Sequence, residues 1–90
     1  MNTFKLVISS PDGNIFEGEA YMLTVRGTEG ELAVLKGHVP FVTSVVPCDI
    51  KIELPDEEQE ALIGHTEGGI LSVSNTSTTL LSTSFSWKEN

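Results

Sequence analysis

The residue types able to do covalent chemistry are few and scattered in this 90-residue chain. Hydrolysis by a serine nucleophile needs a base and an orienting group within reach. Serines are plentiful, but the bases are His38 and His65, and neither lies in a catalytic motif. Both read as turn or strand residues. A structural zinc site needs four nitrogen or sulfur ligands and a catalytic one at least three. His38, Cys48 and His65 are too few and too widely spaced. The run Asp56, Glu57, Glu58 and Glu60 offers oxygen ligands of the kind calcium takes, yet it lacks the regular spacing and central glycine of a dedicated loop. It reads as a solvated, like-charged hairpin tip. Gly27 and Gly30 are not followed by the helix start and lysine that a phosphate loop requires. They read as turn positions with positive φ, as do Gly68 and Gly69. Cys48 follows Pro47 at a strand start and reads as a small buried side chain. No catalytic, cofactor-binding or metal-ligating residue is expected, and therefore no enzyme. The work of such a chain falls to its surfaces.

The elements that shape those surfaces read as strands. Turn-type clusters recur at Pro11-Asp12-Gly13, Gly27-Thr28-Glu29-Gly30, Lys36-Gly37-His38, Pro47, Pro55-Asp56, Gly68-Gly69 and Ser74-Asn75-Thr76. Between them lie segments of about four to nine residues, the length of strands. Phe4, Leu6 and Ile8 share one face against Lys5, Val7 and Ser9. Tyr21, Leu23 and Val25 alternate with Met22, Thr24 and Arg26. Ile50, Ile52 and Leu54 alternate with Asp49, Lys51 and Glu53, which predicts one dry and one wet face. Looser runs are Ile15 to Glu17, Leu32 to Leu35, Phe41 to Val46, Glu60 to His65, Ile70 to Ser74 and Thr78 to Phe85. In the valine-rich run, Phe41, Val42, Val45 and Val46 look buried on both sides. Asp56 to Leu62 reads as a hairpin loop with at most one helical turn. The expectation is an all-β domain, a sandwich or barrel of about eight to ten short strands. It spans 1–86, followed by a loose tail over 87–90.

Charge limits the partners. Thirteen acidic and five basic side chains give a formal net charge of −8. That surface repels nucleic-acid phosphates and anionic lipid headgroups, and its complement is a basic protein surface. The longest apolar stretches fall far short of the ~20 residues a membrane helix needs, so no direct lipid insertion is expected. The single cysteine excludes an intramolecular disulfide. No signal peptide is readable, and a soluble, cytosolic chain is expected.

The order of motifs resembles one family. Phe4-Lys5-Leu6-Val7-Ile8, Pro11-Asp12-Gly13 and Phe16-Glu17-Gly18-Glu19 come first. Gly27-Thr28-Glu29-Gly30-Glu31-Leu32 is the strongest stretch, followed by Gly37-His38-Val39-Pro40 and Val42-Thr43. Pro47, Ile50-Lys51-Ile52 and Gly68-Gly69-Ile70-Leu71-Ser72-Val73-Ser74 complete it. Together they resemble the N-terminal β-sandwich domain of the F-type ATP synthase epsilon subunit, the mitochondrial delta counterpart. Arg26 and Lys36 stand where the family often has proline, Ala33 where glycine is common, and Cys48 where glycine usually follows the proline.

The resemblance implies a small β-sandwich in two sheets. It implies a non-catalytic central-stalk subunit of a proton- or sodium-translocating synthase, peripheral on the cytoplasmic face of the inner (plasma) membrane. The implied partners are the gamma subunit and the polar loops of the c-ring. Carried onto this sequence, Thr28, Glu29, Gly30 and Glu31 would face the ring, and His38, Val39, Pro40 and Phe41 would face gamma. Family members usually continue into a C-terminal helical hairpin. Without those helices, neither inhibition by them nor ATP binding is implied. The alternatives are a free-standing β-sandwich adaptor, or a small hydrolase or lyase with a deep pocket joining His38 or His65 to acidic residues.

Overall fold

A computed structural model describes residues 2–88. Ten strands follow in order: β1 (Phe4–Ser10), β2 (Gly13–Ala20), β3 (Met22–Gly27), β4 (Gly30–Val34), β5 (Phe41–Val45), β6 (Cys48–Glu53), β7 (Leu62–Thr66), β8 (Gly69–Val73), β9 (Ser77–Ser82) and β10 (Phe85–Trp87). They form one continuous ladder, β10-β7-β6-β3-β5-β8-β9-β1-β2, with β4 paired to β3. Between β3 and β5 a single residue pair, Gly27 with Val45, carries the ladder across. The path therefore divides into two five-stranded halves, β10-β7-β6-β3-β4 and β5-β8-β9-β1-β2. All pairings are antiparallel except β1 with β9, where Lys5 to Ser9 run alongside Ser77 to Leu81.

Period-two alternation explains why both halves bury one face. Phe4, Leu6 and Ile8 of β1 are buried together with Leu23 and Val25, Ile50 and Ile52, Leu71 and Val73, and Leu80. They form one core cluster drawn from both halves. At the far ends of the path, Phe16 of β2 and Trp87 of β10 meet edge to face, with ring centroids 6.3 Å apart. Phe85 stacks edge-on against Trp87 at 5.0 Å. The sandwich is therefore nearly closed on itself.

Several expectations change. Val42 is 69% exposed, because β5 alternates: Phe41, Thr43 and Val45 turn inward while Val42 and Ser44 turn out. In Phe41-Val42-Thr43-Ser44-Val45-Val46 the apolar and polar residues come in pairs and do not alternate, so the pattern does not separate the two faces. The stretch Thr78 to Phe85 is two strands, β9 and β10, separated at Thr83 and Ser84. Trp87, assigned to the tail, is the last residue of β10, and the backbone N–H of Lys88 donates to the Ile63 carbonyl at 2.9 Å. Pairing with β7 fixes these residues, a tertiary cause that local composition does not carry. Met1 of the expected domain, and Glu89 and Asn90 of the expected tail, lie outside the described residues. β2 runs from Gly13 to Ala20, well beyond Ile15 to Glu17, because β1 pairs along its length. The loop after β6 holds an Asp56-centred turn, in which the Glu58 N–H donates to the Asp56 side chain at 2.9 Å and the Gln59 N–H to its carbonyl at 3.0 Å.

Candidate interaction surfaces

The expected ring contact sits at a hairpin tip. β3 and β4 pair from Leu23 with Val34 to Gly27 with Gly30, leaving Thr28 and Glu29 as the two-residue loop. Gly30 has φ +123°, a conformation that side chains disfavour. Gly27, expected to share it, is not among the positive-φ glycines. It is buried instead, where an added Cβ would touch the Leu32 side chain and the Ser44 carbonyl at 3.5 Å. The turn thus needs one left-handed residue, not two. Thr28, Glu29 and Glu31 are exposed and Gly30 half-buried. Among the described residues, neither glutamate takes part in an ion pair.

The expected gamma contact lies on the approach to β5. His38 stacks on Phe41 with centroids 4.9 Å apart, and its Nδ1 lies 3.0 Å from the Val39 carbonyl. Its backbone N–H donates to the Leu35 carbonyl at 3.2 Å. Val39 is 74% exposed, Pro40 is exposed and Phe41 is half-buried against the core. Thr43 of β5 and the segment Gly27–Leu32 line one shallow concavity of about 200 Å³ beside the tip.

The valine misread as core extends this surface. Val42 lies opposite Ser72, Ser44 opposite Ile70, and Ile70 opposite Leu81 on the outward side of β5, β8 and β9. Val42, Ile70 and Leu81 are all exposed. Serines and threonines intervene, among them Ser44, Ser72 and Thr79, and no lysine or glutamate breaks the face along these three strands. Large exposed apolar side chains on one sheet face mark a surface suited to a protein partner.

Behind this face the backbone is close-set. A Cβ at Gly69 would fall 1.9 Å from the Leu81 carbonyl oxygen, so only glycine fits where β8 meets β9. Gly68 has φ +110° in the turn just before. Thr66 and Ser82, both buried, pin that turn: their hydroxyls are 2.6 Å apart, and the Gly68 N–H donates to Thr66 Oγ1 at 3.1 Å. Cys48, expected to be buried, is half-buried and packs against the core edge.

His65 has surroundings that spacing along the chain did not reveal. On β7 it lies opposite Asp49 of β6 and Ser86 of β10. Its Nδ1 is 2.8 Å from Asp49 Oδ1, its Nε2 is 2.5 Å from Glu67 Oε2, and Lys88 Nζ donates to Asp49 Oδ2 at 2.8 Å. Hydrogen bonding to Asp49, then to Glu67, raises the His65 pKa above its ordinary value, and bonding to Lys88, then to His65, lowers that of Asp49. Both ring nitrogens are taken by carboxylates and the cluster is solvent-facing, so the ring is poorly placed to take a proton from a nucleophile. A shallow concavity of about 380 Å³ near Tyr21, Lys51 and Asp56 holds neither histidine. Among the described residues, no group of three or more His, Cys, Asp or Glu side chains could hold a metal ion. Among the described residues, no helix is long and apolar enough to cross a membrane.

Known proteins share the sequence and the fold of this chain. The chain is 37% identical over 90 residues to the ATP synthase epsilon chain of Ruminococcus albus, covering 99% of this chain and 65% of that one. It is 36% identical over 81 residues to the same protein of Psychrobacter cryohalolentis, covering 90% and 57%. With that of Clostridium perfringens it shares 33% over 89 residues, covering 99% and 65%. The chain thus spans roughly 57–65% of the length of these relatives. Its fold matches a chain in the Euglena gracilis mitochondrial ATP synthase, OSCP/F1/c-ring, with TM-score 0.87 and 21% identity over 97% of this chain and 54% of that one. It also matches a chain in the Tetrahymena thermophila mitochondrial ATP synthase central stalk/c-ring, with TM-score 0.78 and 11% identity over 92% and 65%. Residues 3–88 match the family described as ATP synthase, Delta/Epsilon chain, beta-sandwich domain, and the chain belongs to that family.

Proposed function

We propose that this chain is a non-catalytic central-stalk subunit of an F-type ATP synthase, linking gamma to the c-ring and helping couple ion flow to ATP synthesis. It would sit as a peripheral subunit on the cytoplasmic face of the inner (plasma) membrane. The family match over residues 3–88 carries this reading. The surfaces support it. Glu29 and Glu31 stand exposed on a hairpin tip, suited to basic loops of the ring. His38, Val39, Pro40 and Phe41, extended by the exposed Val42, offer gamma the apolar area from which most affinity comes. The close-packed core behind both patches gives the stiffness that torque transmission needs.

Binding of the purified chain to gamma and to c-ring vesicles tests both halves of the proposal. Glu29→Lys combined with Glu31→Lys is expected to weaken ring binding and leave gamma binding intact. Each exposed ion pair is worth roughly 0.2–1 kcal/mol, so the reversal should cost at least that much. Val42→Asp is expected to weaken gamma binding alone. Failure of the unaltered chain to recover gamma would sink the reading. Equal ring binding by the double variant would sink the assignment of the tip.

A further inference from the structure

The His65 cluster takes no part in the surfaces assigned above. A neutral imidazole carries one N–H, so it can donate to one carboxylate and turns a lone pair toward the other. Only the imidazolium can donate to both. In this structure each ring nitrogen faces a carboxylate, Asp49 on β6 and Glu67 in the β7–β8 turn. Lys88, just beyond β10, approaches through Asp49. β10 itself places the non-ionisable Ser86 opposite the ring, and Lys51 is the next charge along β6. The turn and β10 are also joined through the backbone: the Glu67 N–H donates to the Ser84 carbonyl at 3.0 Å, and the Lys88 N–H to Ile63 at 2.9 Å.

From this geometry we propose that His65 is a proton-operated clasp, closed when doubly protonated, that holds the β7–β8 turn and the end of β10 against β6. Loss of the proton leaves Asp49 and Glu67 with a single ring donor between them and removes the cation that screens their repulsion. The turn bearing Glu67 then loosens, and the β10 seam loosens with it.

The direction follows from linkage. Because the folded-state pKa of His65 lies above its unfolded value near 6.5, its contribution is complete below that pH and is lost as pH rises through the folded pKa. Asp49, lowered from 3.8, contributes above that value and loses its contribution as pH falls through its folded pKa. The clasp is closed at mildly acid pH and opens as pH rises through the folded pKa of His65, which lies above its unfolded value.

Nuclear magnetic resonance of the whole chain tests it by two readouts. The His65 ring should titrate with a midpoint above that of the same ring in the urea-unfolded chain. Exchange protection factors of the Glu67 and Lys88 amides, taken relative to the core amide of Ile52, should fall about two- to five-fold between pH 6 and pH 9, the scale expected of exposed ion pairs. His65→Gln should abolish that change, and Glu67→Gln should reduce it while keeping the fold. A His65 midpoint at or below the unfolded value would overturn the proposal. So would a pH-dependent loss of protection in His65→Gln as large as in the unaltered chain.

Discussion

Two acidic regions of this domain handle charge in opposite ways. On the outer side of β6 and β7, Asp49 and Glu67 are answered within the chain by His65 and Lys88. At the β3–β4 tip, Glu29 and Glu31 stand in solvent with no ion pair among the described residues. The first arrangement ties strands together. The second leaves an unanswered potential at a place where the backbone is already held by a two-residue loop. A charge that does nothing for the fold is free to meet another molecule, which is why the tip, and not the cluster, is the candidate contact.

That contrast presupposes one core beneath both regions. Leu71, fully buried at the centre of β8, tests the premise most severely. Leu71→Ala is expected to cost about 2–5 kcal/mol in urea unfolding, with signals from both regions lost in a single transition. Separate transitions would show that tip and cluster rest on different units. Next in size is Thr66→Val, which removes the acceptor for the Gly68 N–H and the partner of the Ser82 hydroxyl while keeping side-chain shape. A loss of about 1–3 kcal/mol is expected. A neutral result would mean that the pin beneath the β7–β8 turn is dispensable. Smallest of all, the Glu29→Lys and Glu31→Lys pair should move stability by no more than about 0.5 kcal/mol, and a larger shift would show that the tip charges serve the fold after all.

How much of this was readable beforehand depended on contrast along the chain. Where polar and apolar residues alternate, as in Phe4 to Ile8 and Asp49 to Leu54, the buried face is plain, and Leu6, Ile8, Ile50 and Ile52 are indeed sealed from solvent. Where apolar and polar residues come in pairs, as in Phe41-Val42-Thr43-Ser44, the strand still alternates but the pattern does not show it, and Val42 reads as core although it is exposed. The hairpin tip was legible because a two-residue loop needs local residues alone. The His65 cluster was not. Asp49 and His65 are 16 residues apart and Asp49 and Lys88 are 39 apart, so only strand register brings them together. β10 escaped notice for the same reason: three residues carry no period of their own, and their order comes from β7 and from the aromatic contact with Phe16.

The parallel pairing of β1 with β9 has a consequence for how the domain is made. The first strand finds its inner neighbour only after β9 has left the ribosome, since Lys5 aligns with Ser77 and Ser9 with Leu81. Until then the amino-terminal hairpin waits with its apolar side uncovered. Such distant closure slows folding and lengthens the interval in which a nascent chain can stick to its neighbours, so assembly of this small part is governed by its last-made strands.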